Sequence, residues 1–199
     1  MDKKILTKLT YGLYIVSSQY DHKTSGCVIN TVMQVTNEPL QLSVTLQKTN
    51  YTTSLIQKSQ RLHIVILDKE TPLDTIAHFG FQSGKDKDKF KDIEHHKDIF
   101  DIPYPSSNTV ASISCQVIKT VDVKTHLIFI CDPVKGHMVN EKEVLTYDYY
   151  HKKKADASKG KTKWKCDVCG YIYEGDHIPQ DYICPICKVD ASHFKKEND

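Results

Sequence analysis

The chain reads as a mainly β domain followed by a small metal-binding unit. Three observations carry this. Apolar and polar residues alternate along several short runs, only two short helical signals interrupt those runs, and four cysteines near the C-terminus form two C-x-x-C pairs.

The β reading comes from residues 1–151. Residues 13–17 are a short β-rich run. Leu40, Leu42, Val44 and Leu46 alternate with Gln41, Ser43 and Thr45, the period of a strand with one buried face. Residues 62–67 are more continuously apolar. Ala111, Ile113, Cys115 and Val117 alternate again, and residues 127–131 follow. Asn50 is positioned to cap a helix through Lys58. Thr71, Pro72 and Asp74 supply a cap, a first-position proline and a first-turn acid for a helix toward Phe79. Residues 85–98 are charge-rich and read as a surface excursion. Tyr147, Tyr149 and Tyr150 read as strand residues. Many strands with two short helices imply a β-barrel with helical additions. Cys27, Cys115 and Cys131 lie in strand-like runs and read as buried structural thiols.

Residues 152–163 hold six Lys and one Asp and no aliphatic side chain larger than alanine. They read as a solvated tether, for which twelve flexible residues span roughly 20 Å. Aromatics and arginines are absent from it, which argues against nucleic acid as its ligand. Residues 1–151 balance 17 basic against 17 acidic residues, and residues 164–199 carry four Lys against seven acids. An acidic face around a metal site would steer a basic redox partner. No apolar run reaches membrane-spanning length. No secretory signal precedes the chain and the cysteine spacing suits a reducing compartment, so a cytoplasmic location is expected.

Cys166, Cys169, Cys184 and Cys187 place four thiolates around one tetrahedral ion. A unit of under forty residues buries too little surface to fold unaided, so the metal must supply much of its stability. Spacing alone suits zinc as well as iron. Gly170 follows its knuckle where φ > 0 is tolerated, and Pro185 stiffens the second knuckle. Trp164, Tyr171, Tyr173, Ile183, Ile186 and Phe194 are expected to shield the site from water, which tunes a redox potential. Residues 164–196 resemble the short rubredoxins appended to electron-transfer proteins. That resemblance implies one iron, cycling between ferric and ferrous, on the four cysteines.

No G-x-G-x-x-G fingerprint is present, so a Rossmann nucleotide site is not expected. Residues 10–18, 30–36, 48–53, 78–84, 88–90, 125–130 and 145–151, with Pro39, resemble the flavin reductase-like, FMN-binding split barrels. The whole chain is similar to the high-molecular-weight rubredoxins: a split barrel over 1–151, a linker over 152–163 and a rubredoxin-like domain over 164–199. Several expectations follow from the resemblance. Asn30, Thr31, Gln34, Thr36, Lys48, Asn50, Thr52, Thr53, Lys89, His126 and Tyr150 would bind FMN. The helix starting at Asn50 would offer free N–H groups to the phosphate. Residues 32–35 would present backbone to the ring, and His151 would lie near it. The barrel would form a homodimer. Electrons would come from NAD(P)H or an NADH-dependent rubredoxin reductase and pass to an acceptor such as a flavodiiron NO/O2 reductase. Cys131 stands where the family has glycine, which implies a narrowed turn. Two other readings remain open: an NAD(P)H:flavin oxidoreductase with an accessory metal domain, and a binding module carrying a zinc ribbon.

Overall fold

The computed structural model describes residues 2–158, 162–184 and 189–196. The chain divides between Tyr150 and His151 into two compact units.

The first unit is a seven-stranded antiparallel sheet. Its strands are β1 (Tyr14–Tyr20), β2 (Lys23–Ile29), β3 (Val32–Asn37), β4 (Leu40–Gln47), β5 (Arg61–Leu67), β8 (Thr109–Val123) and β9 (His126–Met138), in the spatial order β2-β1-β5-β8-β9-β4-β3. A short hairpin of β6 (His95–Lys97) and β7 (Pro103–Pro105) lies outside that sheet. Asp21 and His22, both at positive φ, turn β1 into β2. Strands β8 and β9 are longer than the sequence pattern suggested, and their register shifts twice. The shifts leave Ile118 and Val134 as the extra residues, both half exposed. Pro133 is tolerated mid-strand because it sits at one of them.

Alternation along the strands builds two cores on opposite faces. Val16, Val44, Leu46, Leu62, Ile64 and Phe129 line one, with Ile56 from α1 (Tyr51–Ser59) closing it. Ile15, Val65 and Leu67 face the other way, against Ile76 and Phe79 of α2 (Leu73–Gly80) and Phe90. Full burial of one such side chain contributes about 1.5–3 kcal/mol.

Asn50 caps α1: its side-chain oxygen accepts from the Thr52 N–H at 2.9 Å. The cap of α2 differs from expectation. Pro72 occupies the cap position without a side-chain bond, because the Thr71 hydroxyl donates instead to the Asp68 carbonyl at 2.6 Å. Cys131 lies mid-strand in β9, fully buried and paired with Leu42 and Val117, so no turn is narrowed there. The expected charge-rich excursion is also partly wrong: Lys89, Phe90 and the Asp98 side chain are buried.

Gly26, inside β2, leaves little room for a Cβ, which would meet the rings of Phe79 and Phe90 at 3.2 Å and need both to give by a few tenths of an ångström. Gly26→Ala is therefore expected to cost about 1–3 kcal/mol by overpacking. Chemical denaturation checks this, and an unchanged midpoint would mean that the two rings yield freely.

A third helix, α3 (Tyr147–Ser158), replaces the expected strand and the first half of the expected tether. Thr146 opens it by accepting from the Tyr149 N–H, and Asp148 lies in the first turn. Lysines and alanines are good helix formers, and the chain meets no Gly or Pro until Gly160. Residues 159–161 of the expected tether lie outside the described residues.

The second unit is a three-stranded sheet in the order β11-β10-β12, formed by β10 (Lys163–Cys166), β11 (Ile172–Glu174) and β12 (Phe194–Lys196). Among the described residues no helix is long and apolar enough to cross a membrane.

Candidate metal centre and flavin-binding residues

The thiol cluster begins where β10 ends. The Cys166 N–H donates to the Tyr171 carbonyl and the Gly170 N–H returns to the Cys166 carbonyl, closing a tight knuckle. Gly170 adopts φ 75°, as the sequence implied. The Cys184 N–H donates to the Val189 carbonyl, holding the start of the second knuckle. The sulfurs of Cys166, Cys169 and Cys184 lie within 4.8 Å of one another, those of Cys169 and Cys184 at 3.6 Å. A tetrahedral ion with metal–sulfur bonds of about 2.3 Å needs sulfurs roughly 3.8 Å apart, so the arrangement fits one ion. Cys187, Pro185 and Ile186 lie outside the described residues.

Cys166, Cys184 and Phe194 form the buried centre of this unit, with Trp164, Tyr171 and Tyr173 packed on it as expected. Ile183 is the exception, being 52% exposed. Tyr182, Ile178 and Val189 take the shielding role instead. The Tyr182 ring packs against Tyr173 at 4.6 Å and Phe194 at 5.5 Å. The Trp164 indole N–H is satisfied by the Gly175 carbonyl at 3.0 Å.

On the barrel, one group of expected residues meets around the start of α1. Thr52 is fully buried and donates to the Ser25 hydroxyl at 2.9 Å. Cys27, from the same strand as Ser25, is held near its neutral thiol form. Burial pushes its pKa up to about 11, against the opposing pull of Thr52, Lys89 and Asn50. Lys89 is buried, and its ammonium donates to the Gly26 and Phe79 carbonyls, each at 2.8 Å. Those bonds use two of its three protons, leaving one donor for an anion. Gly84 closes over this place, since a Cβ there would strike the Ser25 hydroxyl. Cys27 is buried in a strand as the sequence implied, whereas its place beside Thr52 and the part of Ser25 were not foreseen, because those contacts form only between β2 and α1.

Two of the N–H groups expected at the α1 N-terminus are taken within the cap itself. Asn50 takes the Thr52 N–H through its side chain and the Thr53 N–H through its carbonyl. The buried charge in this group is the ammonium of Lys89.

A second group gathers at the ends of β4 and β9. Thr31 donates its hydroxyl to the Thr45 carbonyl at 2.7 Å, and Thr53 donates to the Gln47 carbonyl at 2.8 Å. Lys48 pairs with Asp122 at 2.6 Å, and its N–H donates to the Thr125 carbonyl. Both charges of that pair are solvent-facing, so breaking it to recruit Lys48 costs about 1 kcal/mol or less. His126 starts β9 with its Nδ1 at 2.8 Å from the Thr125 hydroxyl. Asn30 leads the chain into β3, where Gln34 and Thr36 are exposed. The Gln34 amide donates to the Thr36 carbonyl, and the Thr36 hydroxyl to the Pro39 carbonyl.

Tyr150 stands apart. It packs with Leu13, Leu67 and Leu145 in the second core, on the opposite face of the sheet from α1. His151 is exposed on α3.

The barrel matches the flavin reductase like domain family over residues 6–156. Residues 164–195 match the rubrerythrin, rubredoxin-like domain family. The high molecular weight rubredoxin of Moorella thermoacetica is 34% identical over 98% of this chain and 100% of its own length. The chain belongs to the high molecular weight rubredoxin family. The ferric-chelate reductase (NAD(P)H) of Archaeoglobus fulgidus is 36% identical over 81% of this chain and 94% of that protein. The fold is shared with the Streptomyces globisporus NADH:FAD oxidoreductase SgcE6 at TM-score 0.66 and 14% identity, covering 72% of this chain and 85% of that one. It is shared with the flavin reductase HpaC complexed with NADP+ at TM-score 0.64 and 17% identity, covering 88% and 97%. A chain of this family pairs an FMN-binding barrel with a cysteine-ligated iron, and the buried Lys89 and the thiol cluster fit those two groups.

Proposed function

We propose that this high molecular weight rubredoxin is a cytoplasmic electron carrier, taking electrons at the barrel and releasing them from the iron to an acceptor such as a flavodiiron NO/O2 reductase. The observation that carries the reading is the presence of both redox units in one chain, with three thiols already gathered for one ion. FMN supplies conversion between two-electron and one-electron chemistry, and an iron held by four thiolates supplies one-electron transfer.

The residues have distinct parts in this. Lys89 and the Asn50 amide would hold the phosphate end, with Lys48 recruited from its pair with Asp122, while Thr52 and Thr53 fix the cap that positions them. Asn30, Thr31, Gln34, Thr36 and His126 orient the ring. Tyr150 contributes by supporting the barrel's second core, since its packing there leaves the ring to other residues. Cys166, Cys169, Cys184 and Cys187 hold the iron, and the aromatic shell keeps water from it. Met33 and Val35 are exposed on β3, an edge of the sheet, which suits a homodimer built over that strand. The donor is NAD(P)H or an NADH-dependent rubredoxin reductase.

Stopped-flow reduction of the whole protein tests the relay. Iron reduction is expected to follow flavin reduction and to slow by orders of magnitude when the flavin is stripped. An unchanged rate of iron reduction in flavin-free protein sinks the idea.

The likeness to a ferric-chelate reductase (NAD(P)H) over nearly all of that protein favours a second reading, an NAD(P)H-driven oxidoreductase with the metal unit as accessory. Steady turnover of NADH with free flavin, at a rate unaffected by loss of the iron, would select it.

A further inference from the structure

A pocket of about 210 Å³ lies on the face of β5, β8 and β9, separate from the residues assigned to flavin and iron. Its construction follows from register. His63 on β5 stands opposite Ser114 on β8, which stands opposite Lys135 on β9. One step along the same face, Ser112 stands opposite His137. The strands thus bring two hydroxyls, two imidazoles and an ammonium to one side of the sheet, and Lys97 of β6 lines the same pocket.

The site is built. Ser112 and Ser114 are buried, and the Ser112 hydroxyl lies 3.4 Å from the His137 Nδ1. His63 is 2% exposed and stacks on Tyr104 at 4.1 Å. Its Nδ1 lies 3.1 Å from Asp98 and 3.2 Å from Ser114. The Asp98 carboxylate also accepts the N–H groups of Phe100 and Ile102. Burial opposes its charge, but the hydrogen bonds from His63, the Ser114 hydroxyl and those two N–H groups outweigh burial and hold it ionised. An ionised carboxylate only accepts, so His63 carries its proton on Nδ1. The His63 Nε2 then has no partner among the described residues. The one acid lining the pocket is turned toward these donors, and its single charge is outnumbered by Lys97 and Lys135, both exposed with no ion-pair partner among the described residues. Unbalanced cations over buried hydroxyls favour an anion. The volume is below the 300–1,000 Å³ usual for drug-sized ligands, so the occupant is small.

We propose that this pocket binds a phosphate group, either free inorganic phosphate or the phosphate of a small nucleotide monoester. Ser112 donates from the floor, Lys97 and Lys135 neutralise its charge at the mouth, and His137 lines the pocket beside Ser112.

The test uses the full chain with FMN already bound, so that the flavin-phosphate position is filled. Inorganic phosphate and, separately, adenosine monophosphate are titrated at constant ionic strength, following the imidazole signals of His63 and His137 by NMR. Saturable shifts are expected, with affinity about fivefold weaker in Lys97→Ala and again in Lys135→Ala, the order one exposed charge contributes. Tighter binding of the nucleotide identifies a monoester as the occupant, and equal binding identifies free phosphate. Absence of a saturable shift overturns the proposal, as does equal affinity in the double lysine variant. Both lysines are surface residues, so loss of binding in these variants does not reflect loss of the fold.

Discussion

Cys184→Ser is expected to empty the metal site and unfold the C-terminal unit while leaving the barrel intact. The Cys184 sulfur is fully buried and 3.6 Å from that of Cys169, so a hydroxyl at that place removes one ligand from the interior of the cluster. The consequence for folding is large because so little else holds the unit. Its buried centre consists of Cys166, Cys184 and Phe194 among the described residues, two of which are themselves ligands. Structural metal binding in small cysteine units contributes on the order of 10–16 kcal/mol, which a three-stranded sheet of this size cannot replace. The ferric–thiolate absorption is expected to vanish, and iron to fall from about one per chain to near zero, because a tetrahedral site needs all four thiolates. Amide exchange in β10, β11 and β12 is expected to reach unfolded rates. The barrel's own unfolding transition should shift by less than about 0.5 kcal/mol, since its two cores share no residue with the metal unit's. Protected amides in those strands of metal-free protein would show that the aromatic shell folds the unit alone. Chelation of the iron from the unaltered protein should reproduce the variant's behaviour.

How much of this was legible in the sequence depended on how local the cause was. The alternation over residues 40–46 and 111–117 reports burial on one face directly, and both runs are strands. Asn50 was legible as a cap because a side chain two residues from its partner needs no tertiary help. Thr71 failed because the Asp68 carbonyl competes for its hydroxyl, a contact made by a turn that spacing does not reveal. The tyrosines before the Lys-rich stretch misled for a related reason. Their spacing suits a strand, yet Thr146 and Asp148 start a helix that the following lysines and alanines continue. The metal ligands were readable because C-x-x-C places two sulfurs on one ion regardless of the fold around them. The pocket at His63 was not readable, because its members come from β5, β6, β8 and β9 and meet only through register. Lys89 lay in a charged run that looked solvated. Only the close approach of Gly26 and Phe79 shows that its ammonium is held indoors.

Lys89→Met is expected to weaken FMN binding by roughly 10- to 100-fold, the worth of one charge-assisted hydrogen bond, and to leave riboflavin binding within about twofold. The contrast isolates the phosphate, which riboflavin lacks. The same change strips donors from the Gly26 and Phe79 carbonyls, so the flavin-free barrel should lose about 1–3 kcal/mol. Part of that loss is offset, because burial already penalises the ammonium. Desolvation pushes the Lys89 pKa below its ordinary value of 10.5, with Cys27 opposing the shift. This fixes two pH dependences of opposite sign. In the flavin-free protein the unfolded chain holds the Lys89 proton more tightly than the fold does. Between the depressed pKa and 10.5, stability therefore rises with pH as the penalty is relieved. FMN binding runs the other way. A phosphate beside the ammonium favours its charged form, so binding takes up a proton in that window and FMN affinity falls as pH rises through it. Riboflavin affinity should stay flat over the same range. Fluorescence titrations of both flavins from neutral to alkaline pH, on the unaltered protein and on Lys89→Met, read out all of these effects. A parallel decline for the two flavins would assign the pH dependence to the ring and remove Lys89 from the phosphate site.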